Sequence, residues 1–322
     1  MTVLVTGGAG FVGSAYVRRV AATTDQPITV LDALTYAGSL ARLGDLVETG
    51  RVRFVHGDIT DEGCVVDALA GATSVVHFAA ESHVDRSLLD PDVFHRTNCE
   101  GTDVVCRAAG RHGVERFVHI STDEVYGPVI GEPFEESAPL HPTSPYARSK
   151  AESDLIALRH HTEHGLPVLI TRSSNQFGPW QFPEKLIPFF VATLVGGGQV
   201  PLYGDGLHVR DWLHVDDNCA LVDRVASHGE VGTIYNIAAG NERTNETVTI
   251  AILEHLGLGT DRIDHVADRI DHDRRYAVRT DRIEALGAVA LRPFEPALAE
   301  TIDWYLANQA WWEPLMSRVR NR

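Results

Sequence analysis

At 322 residues the chain holds roughly two domains' worth of polypeptide. Its 44% hydrophobic and 22% charged residues exclude disordered and collagen-like classes, and a net charge of −16 argues against nucleic acid or an anionic membrane surface as a partner. An anionic ligand would need a site that is basic against this overall field. No apolar run reaches the ~18 residues of a membrane span, and the chain runs from Met1 directly into a strand pattern without a signal-peptide layout, which points to the cytoplasm. Cys64, Cys99, Cys106 and Cys219 lie far apart with no C-x-x-C pair, as expected of reduced thiols rather than disulfides or a zinc site. Lysine occurs only at Lys150 and Lys185, against 26 arginines. A lysine kept in such a chain is a candidate for work that needs a compact, titratable ammonium rather than a planar fork.

In chain order, a strand is predicted at Thr2–Thr6 and a helix from about Phe11 to Ala22. Further strands follow at Ile28–Asp32, Arg53–His56, Ser74–Ala79, Arg116–Ser121, Pro167–Thr171 and Thr233–Ile237. Apolar strands spaced by helices mean a parallel sheet covered on both faces, that is, an α/β, doubly wound Rossmann-type fold. After Arg172 prolines and glycines become frequent and the rhythm weakens. The expected organisation is a dinucleotide-binding domain over 1–172, to which a strand at 233–238 returns, and a smaller C-terminal substrate-binding lobe over most of 173–322.

Gly7, Gly10 and Gly13 form a G-x-x-G-x-x-G turn between the first strand and the first helix. Glycine permits the tight turn and lets the backbone approach a pyrophosphate, and the helix N-terminus offers unpaired N–H groups to it. Asp32 ends the second strand about 20 residues on, where a carboxylate accepts a ribose 2′-hydroxyl and repels a 2′-phosphate, favouring NAD. Tyr146 and Lys150, at i and i+4 after Pro145, share one helix face. A nearby ammonium is expected to lower the phenol's pKa and make Tyr146 a base. Thr122, Asp123 and Glu124 follow the fifth strand, so they should face a ligand at the carboxyl edge of the sheet. Two adjacent carboxyl groups there can divide into an acid and a base. In isolation each pattern has a plainer reading: a glycine-rich turn, a solvated Tyr/Lys pair, an acidic loop.

Together these motifs resemble the extended, nucleotide-sugar-modifying branch of the short-chain dehydrogenase/reductase superfamily. The run Thr122-Asp123-Glu124-Val125-Tyr126-Gly127 is similar to the signature of the dTDP-glucose 4,6-dehydratase family, as are Leu34–Gly38, Ala79–Ser87, Phe182–Pro188, Arg210–Leu213 and His272–Tyr276. The similarity spans residue 3 to about residue 310. It implies a lyase that oxidises the sugar at C4, eliminates water across C5–C6 and returns the hydride to C6, so that NAD is regenerated in each turnover. In these roles Tyr146 takes the C4 hydroxyl proton, Thr122 hydrogen-bonds that oxygen, Glu124 removes the C5 proton, Asp123 protonates the departing C6 hydroxyl, and Lys150 holds the nicotinamide ribose. No metal is expected; His160 and His164 read as a surface helix.

The cofactor contacts that the resemblance implies are Gly7, Gly10, Phe11, Val12, Gly13, Asp32, Asp58, Ile59, Ala79, Ala80, Thr97, Tyr146, Lys150 and Gln176. The implied substrate contacts are Ser82, Thr122, Asn175, Lys185, Leu186, Pro201, Tyr203, Arg210, Asn245, Arg269 and His272. Lys185, Arg210, Arg269 and His272 would supply the local positive charge for a sugar diphosphate, and Tyr203 an aromatic face for a pyrimidine. The chain departs from the family's Asn-Asn-Tyr-Gly at Asn175-Gln176-Phe177-Gly178, and from its Arg-Pro-Gly-His at Arg269-Ile270-Asp271-His272; the segment between Gly127 and Tyr146 is also short. A UDP-sugar 4-epimerase or decarboxylase is the competing enzyme reading, and a non-catalytic NAD-binding regulator the competing non-enzyme one. A homodimer is implied through two helices, about Pro91–His112 and Tyr146–His164, with Val93, Val104, Val105, Leu155, Ile156 and Leu158 as the apolar stripes.

Overall fold

A computed structural model of the chain describes residues 2–269, 272–287 and 289–319; Asp271 lies outside them. The strands are β1 (Thr2–Thr6), β2 (Ile28–Asp32), β3 (Val52–His56), β4 (Ala72–His77), β5 (Arg116–Thr122), β6 (Val168–Ser173), β7 (Asn175–Phe177), β8 (Val200–Tyr203), β9 (Val209–His214), β10 (Ile234–Ile237), β11 (Glu242–Thr244) and β12 (Ile263–Val266). Seven of them form one sheet in the order β10-β6-β5-β4-β1-β2-β3, with every neighbouring pair parallel. A three-stranded sheet, β11-β9-β7, and a two-stranded one, β12-β8, lie beyond it.

The helices of the first half are α1 (Phe11–Thr23), α2 (Glu62–Ala68), α3 (Val84–Leu89), α4 (Pro91–His95), α5 (Thr102–His112) and α6 (Pro145–His164). They are followed by α7 (Leu186–Val195), α8 (Val215–His228), α9 (Asn245–His255), α10 (Asp281–Ala285), α11 (Phe294–Ala307) and α12 (Gln309–Trp312). Alternate strand residues feed two cores, because side chains on a strand alternate in direction. Val3, Val5 and Val30 meet Val17 and Val20 of α1 and Val222 and Val225 of α8. Leu4, Leu31 and Phe117 meet Val65 of α2, Val105 of α5 and Ala157 of α6 on the other face. A third core joins α7, α9 and α11 through Phe190, Val191, Ile252, Leu298 and Ile302. From beyond residue 172, then, α8 lies on the main sheet as well as β10, a placement the weak periodicity of that region did not announce.

Strand ends shift where the sheet's carboxyl edge begins. β4 stops at His77 rather than Ala79, because Phe78 and Ala79 bend across the end of β1: the Phe78 amide donates to Thr6 O at 3.1 Å and the Ala79 amide to Thr6 Oγ1 at 3.3 Å. The long helix expected over Pro91–His112 is broken by a π-helical turn at Arg96–Gly101. In that turn Asn98 accepts from the Glu81 amide at 2.8 Å and donates to Glu81 O at 3.0 Å and to Ser149 Oγ at 2.8 Å, joining the loop after β4 to α6. Of the six residues named as the apolar stripes of a dimer contact, Val105 and Ile156 are buried within the chain, whereas Val93 and Leu155 are exposed at 37% and 58%. His160, expected on a surface helix, is buried instead; its Nε2 lies 2.8 Å from Asp103 Oδ1 on α5.

One buried ion pair ties these layers together. Arg172 Nε of β6 donates to Asp154 Oδ2 of α6 at 2.9 Å, with both side chains almost fully buried. Arg172 Nη1 donates to the Tyr126 hydroxyl at 2.8 Å, which donates to Asn236 Oδ1 of β10 at 2.8 Å. His119 Nε2 of β5 lies 3.3 Å from Asp154 Oδ1. His119 and Arg172 hold the Asp154 carboxyl below the usual range despite its burial. Removing one partner strands a buried charge, so Asp154→Ala is expected to cost about 3–5 kcal/mol in denaturant unfolding. Because the folded-state pKa is depressed, the contribution is present at neutral pH and fades as pH falls through that value. A loss below about 1 kcal/mol, the surface-pair range, would contradict this role.

Candidate active site

A cleft of about 440 Å³ runs along the carboxyl edge of the seven-stranded sheet and continues between it and the C-terminal lobe. Every residue that the sequence nominated for cofactor, substrate or catalysis lines it. They come from eight or more separate segments, which only the crossing of the chain at this edge brings together.

The glycine turn closes the sheet end of the cleft. Gly7 has φ +68°, and a Cβ there would lie 2.6 Å from Ala79 N; a Cβ on Gly13 would lie 2.2 Å from Gly7 O. The turn thus exists only without side chains, and it leaves room against the first helix for a pyrophosphate. Asp32 is buried at the end of β2, and burial pushes its carboxyl up even though the Leu34 and Ala9 amides pull it down. Its Oδ2 accepts from Ala9 N at 2.9 Å and its Oδ1 from Leu34 N at 2.8 Å, so the carboxylate is already oriented toward the turn. Asp58 is fixed by Thr60, whose N and Oγ1 both donate to Asp58 Oδ1 at 2.9 Å. At the far end, Gln181 Nε2 donates to Gln176 O at 2.9 Å, and the Gln176 side-chain amide donates to Ser174 O. Asn175 Oδ1, buried beside them, has no hydrogen-bond partner among the described residues. A side-chain-free cradle, an oriented acidic residue at the second strand and an orphaned acceptor together fit a dinucleotide.

The reacting groups sit at the ends of β5 and α6. After Thr122 the chain enters a 3₁₀ turn, Asp123–Tyr126, in which the Glu124 amide donates to Thr122 Oγ1 at 3.3 Å. Asp123 is 3% exposed, and its Oδ2 has no hydrogen-bond partner among the described residues. Burial, with Glu124 and Asp211 nearby, pushes its carboxyl up to about 8. Burial also raises Glu124, but Lys185 and Arg210 pull it back. The adjacent carboxyls therefore differ in surroundings: Asp123 keeps a proton at neutral pH, while cations favour the ionised form of Glu124.

Tyr146 departs from expectation. Pro145 and the Ser144 cap, whose Oγ accepts from Ala147 N at 3.0 Å, start α6 so that Tyr146 and Lys150 both face the cleft. Burial, followed by Glu124, raises the phenol well above its ordinary value; Thr122 is the group that lowers it. Lys150 Nζ donates to Ile120 O at 2.7 Å, and burial lowers it to about 8. The protein's own charges hold Tyr146 as a neutral phenol, and the ammonium four residues on does not reverse that.

The lobe side is basic despite the net charge of −16. Arg210 donates to Val209 O at 2.7 Å and Asp273 O at 2.9 Å, with its guanidinium 4.3 Å from the Tyr276 ring centroid. Lys185 Nζ donates to Ser82 O at 2.7 Å. Arg269 pairs with Asp85 at 3.2 Å and lies 4.4 Å over one face of Tyr203. His272 does not supply charge: burial first, and then His208, Arg210 and Arg269, bring it down to about 4, so at neutral pH it offers hydrogen bonds only. Tyr276 and Asp273 line the same wall, with the Tyr276 hydroxyl donating to Asp273 Oδ2 at 2.6 Å. Arg42 and Gln181 also line the cleft. No motif marked these last two in the sequence.

Histidines also gather where spacing gave no hint. His208, Asp268 and His272 bring ligand atoms within 4.8 Å of one another, as do His95, Cys99 and Glu152. The first group stacks His208 on His272 at 3.6 Å, and His272 Nδ1 lies 2.7 Å from Asp268 Oδ1. All four cysteines are free thiols, and among the described residues no helix is long and apolar enough to cross a membrane.

This architecture is shared with known proteins over nearly its full length. The chain is 52% identical to a dTDP-glucose 4,6-dehydratase of Streptomyces antibioticus over 99% of this chain and 96% of that one. It superposes with a TM-score of 0.96 and 48% identity on the dTDP-glucose 4,6-dehydratase DesIV of Streptomyces venezuelae, solved with NAD and TYD bound, covering 98% of this chain and 100% of that one. A UDP-glucose 4-epimerase of Thermus thermophilus, solved with NAD, is more distant at 30% identity and a TM-score of 0.88, covering 96% and 100%. The model of the NAD dependent epimerase/dehydratase family matches residues 3–238, and the chain belongs to that family.

Proposed function

We propose how this cleft divides the work of a dehydration. The activity is the NAD-dependent conversion of dTDP-glucose to dTDP-4-keto-6-deoxyglucose, a hydro-lyase reaction with internal oxidation and reduction. The observation that carries it is the pair Asp123 and Glu124, adjacent at the end of β5: Asp123 is buried and pushed up to about 8, whereas Lys185 and Arg210 pull against the burial that raises Glu124. A 4-epimerase has no step that requires a protonated acid beside a base.

When bound, NAD supplies the hydride acceptor and donor and, in its oxidised form, a positive ring charge. The glycine turn, Asp32, Asp58, Lys150 and Gln176 would hold it. Beside the positive ring charge of bound NAD, Tyr146 would first give up its own proton, and as phenolate it would take the C4 hydroxyl proton as hydride leaves C4, with Thr122 hydrogen-bonding the same oxygen; at the end C6 would take the hydride back and Glu124 would return its proton to C5. A ketone at C4 acidifies the C5 proton, which Glu124 removes. Asp123 gives its proton to the C6 hydroxyl, which leaves as water. Positioned acids and bases of this kind contribute about 10²–10⁴-fold each. Lys185, Arg210 and Arg269 hold the diphosphate, and His272 adds a neutral hydrogen bond. Asn175, Ser82, Leu186, Pro201, Tyr203 and Asn245 line the remaining wall for sugar and base. Residues 1–172, with the strand at 233–238, serve the dinucleotide, and most of 173–322 serves the nucleotide sugar.

The chain works in the cytoplasm as a homodimer. Free thiols suit a reducing compartment, and Leu89, Val93 and Leu155 leave apolar surface on the face built by α3, α4 and α6. Leu155→Glu is expected to convert the dimer to a monomer in sedimentation; a wild-type chain that is already monomeric sinks the assignment.

With dTDP-glucose, UDP-glucose and GDP-mannose offered separately, only dTDP-glucose should give a 4-keto-6-deoxy sugar without added NADH, with solvent deuterium at C5. A C4 epimer, or CO2 released from a uronic acid, would overturn the reading. Glu124→Gln should abolish C5 exchange while C4 oxidation persists, and Asp123→Asn should slow elimination more than oxidation; equal, mild effects would contradict the division of roles. Because Asp123 must be protonated to act and holds its proton up to about pH 8, kcat/KM should fall above that pH. The same limb should be missing in Asp123→Asn.

A further inference from the structure

We infer that Arg86 is a positioning residue for the sugar-diphosphate end of the cleft: from α3 it holds the Glu184 carboxylate, and so keeps the neighbouring Lys185 available to the diphosphate. Arg86 Nε donates to Glu184 Oε2 at 2.8 Å, with the two side chains 15% and 6% exposed. The guanidinium lies 3.6 Å from the centre of the Tyr36 ring, within cation–π range. The Tyr36 hydroxyl donates to the other oxygen, Glu184 Oε1, at 2.7 Å, and the ring meets Phe182 edge-on at 5.4 Å. Burial, followed by Glu184, raises the Tyr36 phenol well above its ordinary value, so it stays a donor. One carboxylate thus joins the loop before α7 to α3 and to the loop after β2, across 98 and 148 residues of chain.

The next residue shows what the pair accomplishes. Lys185 lines the cleft, is partly exposed, and donates from Nζ to Ser82 O at 2.7 Å, four residues before Arg86. Its backbone is fixed as well: the Lys185 amide donates to Phe182 O at 3.4 Å, and its carbonyl accepts from the Phe189 amide at 2.9 Å where α7 begins. Ser82 and Arg86 therefore grip Lys185 and Glu184 from one short segment of the dinucleotide half. A carboxylate next in sequence to an ammonium competes with an anionic ligand for it. A guanidinium at hydrogen-bond distance answers that charge in place. Arg86 also faces Glu81, which burial raises and Arg86 pulls back. Without Arg86, Glu184 stays buried with that charge unanswered, and it draws the flexible Lys185 side chain away from the cleft.

The inference rests on the reading of Lys185 as a diphosphate ligand, and a double-mutant cycle separates the two. Binding of dTDP and retention of NAD are measured for wild type, Arg86→Met, Lys185→Met and the double variant. Each single variant should weaken dTDP by about tenfold, the scale of one charged hydrogen bond, with NAD retained. The double variant should bind dTDP no more weakly than Lys185→Met. Additive losses, or loss of NAD in Arg86→Met, mark a role in the fold alone and overturn the inference. Arg86→Lys keeps the charge without the fork and should stay within about threefold of wild type; binding as weak as that of Arg86→Met overturns it. If Arg86→Met does not fold, Tyr36→Phe decides. It keeps the ring beneath the guanidinium and removes only the hydroxyl on Glu184 Oε1. Binding of dTDP should then weaken about threefold in the wild-type background and not at all beside Lys185→Met; native affinity, or the same loss in both backgrounds, overturns the inference. Native dTDP affinity in Lys185→Met rejects the reading of Lys185 and this inference together. Native affinity in Arg86→Met, with Lys185→Met weakened, rejects only the role of Arg86.

Discussion

Removing two adjacent carboxyl groups from water is the constraint on which this cleft depends. Asp123 is buried and Glu124 half-buried, so neighbours weigh heavily on their ionisation. Both carboxyls are raised by burial, but Glu124 and Asp211 push Asp123 up further, to about 8, whereas Lys185 and Arg210 pull Glu124 back; Arg210 lowers both. Two residues adjacent in sequence thereby stand in different electrostatic company.

The same economy governs the positive charges. In a chain of net charge −16, most cations at the cleft are oriented by backbone carbonyls, Arg210 by Val209 and Asp273, Lys185 by Ser82, Lys150 by Ile120 and Arg42 by Ala9, Ala37 and Trp180, while Arg269 pairs with Asp85. A carbonyl orients a cation without cancelling its charge as a carboxylate does. Lys150 and Lys185, the two lysines of the chain, both belong to this set. Arg172 is the contrasting case. It is paired with Asp154 deep between β6 and α6, it is closed to ligands, and its work is to hold the floor on which Tyr146 and Lys150 stand.

The C-terminal lobe is more than a substrate platform. It returns α8 and β10 to the main sheet, and through Trp311 and Tyr305 it packs against Arg42 and Gln181, which line the cleft. The two halves therefore share one packed interface along the sheet's carboxyl edge. Ligand groups held by one half are positioned against catalytic groups held by the other.

Local chemistry let the sequence alone determine most strands, the glycine turn and the short motifs of the reacting groups, and the resemblance added many of the residues that line the cleft. Apolar runs bounded by helical patterns have few other solutions, a turn this crowded at Gly7 and Gly13 admits only glycine, and Thr122, Asp123, Glu124, Tyr146 and Lys150 stand in short, contiguous motifs. What tertiary structure decided was charge state and company. Lys150 sits one helical turn from Tyr146, yet burial and Glu124 outweigh it; His272 loses its charge to burial beside His208 and two arginines; Val105 and Ile156 turned into the core. Arg42, Gln181 and the cluster of His208, Asp268 and His272 stood in no recognised motif, and each also depends on a distant partner: Arg42 on Trp180, Gln181 on Tyr305, and His272 on His208. Desolvation and long-range pairing depend on the whole fold, and no window along the chain contains them.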